Sequence, residues 1–211
     1  MSGATLRALV FDYDGLIVDS ERLAAEIFVE VMAEAGGAVT IEEIAHLFGT
    51  TEADHLWDEL ITARCELSAA EVIERMTPRI RAGHEELPLL PGVREVLDAA
   101  RDRGLKVGLA TGQDLERLPG RLARLEIHEH FDAVVSAEEV PRGKPHPDIF
   151  LEAARRLEVE PAECLALEDS VPGCEAAVAA GMRVVACPSA VTAHCTFPAE
   201  ARRVTSLLEL L

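Results

Sequence analysis

The stretch LRALVFDYDGLIVDSE, Leu6–Glu21, opens with a short apolar run, Leu6–Phe11, and then places two aspartates, Asp12 and Asp14, directly behind it. A short run that is apolar at almost every position matches a parallel strand buried on both faces, whereas a half-exposed strand would alternate. Asp14-Gly15 supplies turn chemistry at its end.

Similar runs recur at Lys106–Ala110, Ala133–Ser136, Cys164–Leu167 and Arg183–Ala186. Helical patterns separate them, at Gly92–Arg103, Asp148–Leu157 and Val171–Ala180, and Gly104 and Gly181 follow two of these where a C-terminal cap belongs. Strands alternating with helices imply an α/β fold, a parallel sheet sandwiched by helices. One interval breaks the alternation. From about Ser20 to Leu87 the pattern is helical only, with Ser20 expected to cap a helix that Gly36-Gly37 stops. Thr40-x-x-Glu43 and Ser68-x-x-Glu71 have the capping-box form, and Thr77-Pro78 is expected to kink or end the last helix. The chain therefore divides into a core, residues 1–19 and 88–211, and a four-helix insert, residues 20–87, joined by a stiff proline-containing hinge at Leu87–Gly92.

In open parallel sheets the ligand site lies beyond the carboxyl ends of the strands. Those ends carry Asp12 and Asp14, Thr111-Gly112, Gly143-Lys144-Pro145 and Glu168-Asp169. Two acidic pairs, a hydroxyl and an ammonium converging on one edge suit phosphoryl transfer. The carboxylates make an oxygen cage fitted to magnesium. One carboxylate can attack phosphorus and a second can move the proton. Thr111 and Lys144 can hold phosphoryl oxygens. Glu168 is open to two readings, as a metal ligand or as a structural partner for Lys144. Ser170 reads as the N-cap of the following helix.

These residues resemble the haloacid-dehalogenase-like superfamily over nearly the whole chain. FDYDGLIVDSE at Phe11–Glu21, LATG at Leu109–Gly112, GKPHPDIF at Gly143–Phe150 and LEDSVPGCEAAVAAGM at Leu167–Met182 are similar, in order and spacing, to its four motifs. The helical insert resembles the small-cap branch that includes β-phosphoglucomutase-like proteins and sugar-phosphate phosphatases. The resemblance implies a Rossmann-like core, Asp12 as nucleophile, and Asp14 as general acid and base. It also implies phosphate binding at Thr111, Gly112 and Lys144, and magnesium held by Asp12, Asp14 through its carbonyl, and Asp169, with Glu168 nearby or ligating. Dehalogenases of the superfamily lack the second aspartate, and phosphonoacetaldehyde hydrolases need a cap lysine. Asp14 is present, and no lysine lies between residues 20 and 87. The mutases use a cap histidine and arginine where Ala24 and Glu52 stand here. The expected activity is therefore hydrolysis of a small phosphomonoester, with a phosphosugar mutase and a non-catalytic binding protein as alternatives. Leaving-group selection is expected from Thr50, Thr51 and Glu52. Leu118-Pro119-Gly120 is expected to interrupt the helix after the second motif and to displace the loop near Gln113.

Composition bounds the partners. A net charge of −18 over 211 residues disfavours nucleic acid and anionic membranes, so the partner expected is a small phosphorylated metabolite. A site that binds an anion on this surface must carry its own positive charge, and only two lysines exist, Lys106 and Lys144. Five cysteines without a CxxC pair, no secretory leader before Asp12 and no membrane-length apolar run point to a reduced cytoplasm and a monomer or weak homo-oligomer.

Overall fold

The computed structural model describes residues 5–48 and 54–211. Its centre is a sheet of six strands, β1 (Ala8–Phe11), β2 (Lys106–Thr111), β3 (Ala133–Ser136), β4 (Cys164–Glu168), β5 (Arg183–Ala186) and β6 (Ala201–Arg203). Their spatial order is β3-β2-β1-β4-β5-β6, and every pairing is parallel. β1 is therefore central, which explains its unbroken apolar sequence: Ala8 and Val10 pack on one face, Leu9 and Phe11 on the other. The first face is covered by α7 (Asp148–Leu157) and α8 (Val171–Ala179), the second by α5 (Val93–Asp102) and α6 (Leu118–Arg124).

Four further α-helices are inserted between β1 and α5: α1 (Ser20–Glu34), α2 (Ile41–Ile44), α3 (Asp54–Arg64) and α4 (Ala69–His84). They bury their own apolar cluster, including Phe28, Val31, Met32, Ile61 and Val72, with Trp57 edge-on to both Phe28 and Phe48. Both capping boxes form as expected, Thr40 with Glu43 and Ser68 with Glu71. The two chain crossings between insert and core are tied together, since Leu90 N–H donates to the Ile17 carbonyl at 2.8 Å.

Three local expectations are corrected, and one strand lies outside them. Ser20 does not cap α1; it is the first helical residue, and its hydroxyl instead accepts from Gly15 N–H at 3.1 Å. Pro78 does not end α4, which runs on to His84. The ring lies on the solvent face, where water can serve the carbonyl that loses its partner. Pro119 does not interrupt a helix but stands in the first turn of α6, where an N–H is not required. The sixth strand, β6, has no apolar run to announce it, because it is a three-residue edge strand with two exposed arginines.

Candidate active site

Register brings the strand ends together. Phe11 lies opposite both Leu109 and Leu167, so Asp12 emerges between β2 and β4, and its N–H donates to the Leu167 carbonyl at 2.9 Å. Asp12 is nearly inaccessible, at 5% exposure. Lys144, between β3 and α7, spends its three N–H groups on the Asp12 carboxylate, on the Ala110 carbonyl at 3.1 Å and on Glu168 Oε1 at 2.6 Å. Burial alone would depress the lysine, but Asp12 and Glu168 outweigh it and hold it above its ordinary pKa.

Glu168 is wholly buried, and its second oxygen accepts from Asp169 N–H, Ser170 N–H and the Ser170 hydroxyl at 2.9–3.2 Å. Ser170 also caps α8 by accepting from Gly173 N–H at 3.2 Å. The carboxylate lies so close over this first turn that a Cβ on Gly173 would fall 1.9 Å from Oε1. Both oxygens thus accept from protein donors, Lys144 among them.

Asp169 contrasts with it. It is buried, yet its Oδ2 has no hydrogen-bond partner among the described residues. Asp12, Glu168 and Asp169 bring ligand oxygens within 4.8 Å of one another. Three carboxylates face one ammonium, an excess of two negative charges out of water, which is costly without a cation. Burial, opposed by Lys144 and reinforced by Glu168 and Asp14, pushes the Asp12 carboxyl up to about 8. Burial, then the charges of Glu21, Glu168 and Asp12, hold Asp169 well above the carboxylate range. The orphaned oxygen and the uncompensated charge fit a divalent, oxygen-preferring ion.

Asp14 has different surroundings. Its side chain is 32% exposed, Oδ2 accepts from Gln113 Nε2 at 2.6 Å, and Oδ1 lies 3.8 Å from His84 Nε2. Thr111 is buried at the end of β2, where its hydroxyl accepts from Gln113 N–H at 3.0 Å, and the space beside Gly112 is open. The loop near Gln113 is thus held by Thr111 and, through its carbonyl, by the Ser136 hydroxyl at 2.8 Å. The candidate specificity residues Thr50, Thr51 and Glu52 lie outside the described residues.

Several site neighbours were not legible in the sequence. Glu21 in the first turn of α1 is raised to about 7 by burial, with the Ser189 hydroxyl opposing, and it adds to the charge around Asp169. His84, Gln113 and Arg121 gather at Asp14 from three separate segments. Only Glu21 carried a signal, as the acid that closes the first motif.

The family model for haloacid dehalogenase-like hydrolases matches residues 6–181. Hexitol phosphatase B of Escherichia coli (strain K12) is 41% identical over 86% of this chain and 83% of that enzyme. β-Phosphoglucomutase of Bacillus subtilis (strain 168) is 32% identical over 85% of this chain and 82% of its own. Among solved structures, CbbY of Rhodobacter sphaeroides in complex with phosphate superposes with a TM-score of 0.73 at 29% identity, over 98% of this chain and 96% of that one.

Proposed function

Since the chain belongs to the haloacid dehalogenase-like hydrolase family, we propose that it is a magnesium-dependent phosphatase that hydrolyses a small phosphomonoester, a sugar or sugar-alcohol phosphate or similar metabolite, through a phospho-aspartate at Asp12. The observation that carries this reading is the unlike pair on one turn. Asp12 is buried and bonded to an ammonium, whereas Asp14 is partly exposed and bonded to a neutral amide. Two carboxylates in unlike settings can take unlike roles.

Asp12 attacks phosphorus, and the P–O bond to the leaving group breaks as Asp14 gives that oxygen its proton. Water then attacks the phosphorus of phospho-Asp12, losing its proton to Asp14, and inorganic phosphate leaves. The Thr111 hydroxyl, the Gly112 N–H and the Lys144 ammonium hold the phosphoryl oxygens as charge shifts onto them. Glu168 keeps Lys144 charged and aimed. Asp12, the Asp14 carbonyl and Asp169 would hold magnesium, which when bound neutralises phosphate charge so that an anionic nucleophile can approach. All five cysteines are free, in keeping with action in a reduced cytoplasm. Among the described residues no helix is long and apolar enough to cross a membrane.

The test is a single turnover with substrate carrying labelled phosphate. Label should appear on the wild-type chain, labile to hydroxylamine, and be absent from Asp12→Asn. An unlabelled wild type that still releases phosphate would reject the covalent step. Likeness to a mutase keeps one second reading, and measuring isomerised sugar phosphate against released phosphate separates the two.

A further inference from the structure

Asp14 is held by side chains that lead away from the site to the end of the inserted helices. Gln113 donates to its Oδ2 at 2.6 Å. The Gln113 amide oxygen accepts from Arg121 Nη1 on α6, and Arg121 Nε donates to Glu85 Oε1 at 3.2 Å. Glu85 caps the C-terminus of α4, and His84 beside it reaches toward the other Asp14 oxygen. The chain has one possible sense. A guanidinium only donates, so Arg121 fixes the amide oxygen of Gln113 toward itself and leaves the NH2 for Asp14. Arg121 is 3% exposed, and its one ion-pair partner among the described residues is Glu85, whose side chain is 49% exposed.

We propose that Gln113, Arg121 and Glu85 form a positioning relay that orients the Asp14 carboxylate for proton transfer only while α4 is seated on the core. The inference rests on the reading of Asp14 as the acid. A carboxylate on a turn and one-third exposed has rotamers to choose from, and a misplacement of about 1 Å can cost about a hundredfold in rate. The Gln113 bond engages Oδ2 and leaves Oδ1 for the transferred proton. Withdrawing α4 removes Glu85 from Arg121, frees the amide to turn over, and releases Asp14. The plainer alternative is that Arg121 and Glu85 only staple α4 to the core.

The two are separated with ring-substituted phenyl phosphates, which share a shape but differ in how much the leaving oxygen needs a proton. kcat/KM reports the step in which Asp14 donates. Gln113→Leu and the partly exposed variant Glu85→Gln should each make kcat/KM depend more steeply on leaving-group pKa, with phenyl phosphate losing about tenfold more than 4-nitrophenyl phosphate in Gln113→Leu. The double variant should lose no more than Gln113→Leu alone, because both act through Arg121. Equal losses across the series, or additive losses, overturn the relay, and Glu85→Gln carries the test if Gln113→Leu lacks a cooperative melt. Asp14→Asn separates the two levels of the argument. If it does not steepen the series, the acid reading falls and the relay with it. If Asp14→Asn steepens the series and the relay variants do not, the relay alone fails.

Discussion

The Asp169 carboxylate occupies the space that a side chain on Gly15 would need: a Cβ there would lie 2.0 Å from Asp169 Oδ2. Gly15 has a φ of +73° on the turn between Asp14 and the insert, so the same residue bends the chain and makes room for the buried acid. Gly15→Ala should therefore act twice. It should cost about 1–2 kcal/mol of stability from backbone strain, seen in denaturant melts. It should also weaken magnesium activation by about 10–100-fold by displacing Asp169, seen in a metal titration of activity.

Asp12→Asn keeps the shape of the nucleophile and removes its charge. Turnover of a generic aryl phosphate should fall by about three orders of magnitude or more, with the far-ultraviolet spectrum and melting cooperativity unchanged. Near-normal turnover would remove Asp12 from the chemistry.

The contribution of the buried site acids to stability without metal should fall with rising pH. Asp12, Asp169 and Glu21 all have carboxyl pKa values raised in the folded chain, so the folded state binds more protons than the unfolded one. Their contribution is complete below the ordinary carboxylate pKa and is lost on the way up, for Asp12 between 3.8 and about 8. Magnesium, which needs these groups ionised, should raise the melting temperature more near about pH 8 than near about pH 5. A shift that is the same at both, or larger in acid, would contradict the proposed ligands.

Metal exchange should be informative too. Excess chelator should abolish activity and magnesium restore it. Calcium should restore it poorly, because its longer and looser coordination, at about 2.3–2.6 Å, misplaces the nucleophile. Undiminished turnover in chelator would reject a metal at Asp169.

Glu168 and Asp169 should behave differently. Glu168→Gln breaks a buried pair with Lys144 and should destabilise by about 3–5 kcal/mol, while shifting the magnesium midpoint little. Asp169→Asn should raise that midpoint by at least about tenfold without a comparable loss of stability, since it removes one of the uncompensated buried charges. The reverse pattern would make Glu168 the ligand.

What the sequence determined by itself was whatever local chemistry carries. Ala8–Phe11 is apolar throughout because β1 is covered on both faces. The capping boxes at Thr40 and Ser68 formed because each needs only residues three apart. Asp12, Thr111, Lys144 and Asp169 could be grouped because a parallel sheet delivers successive strand ends to one edge. Tertiary structure decided the rest. Ser20 had a nearby competitor for its hydroxyl, the Gly15 N–H, which a capping rule does not weigh. β6 took its place through pairing with β5 rather than through apolar content. The two readings of Glu168 could be weighed only once its donors were counted in three dimensions. Gln113, Arg121 and Glu85 link up in a chain that starts at Asp14 although up to 99 residues separate partners, because hydrogen bonds between side chains depend on where the backbone has been carried, and no periodicity in the chain records that.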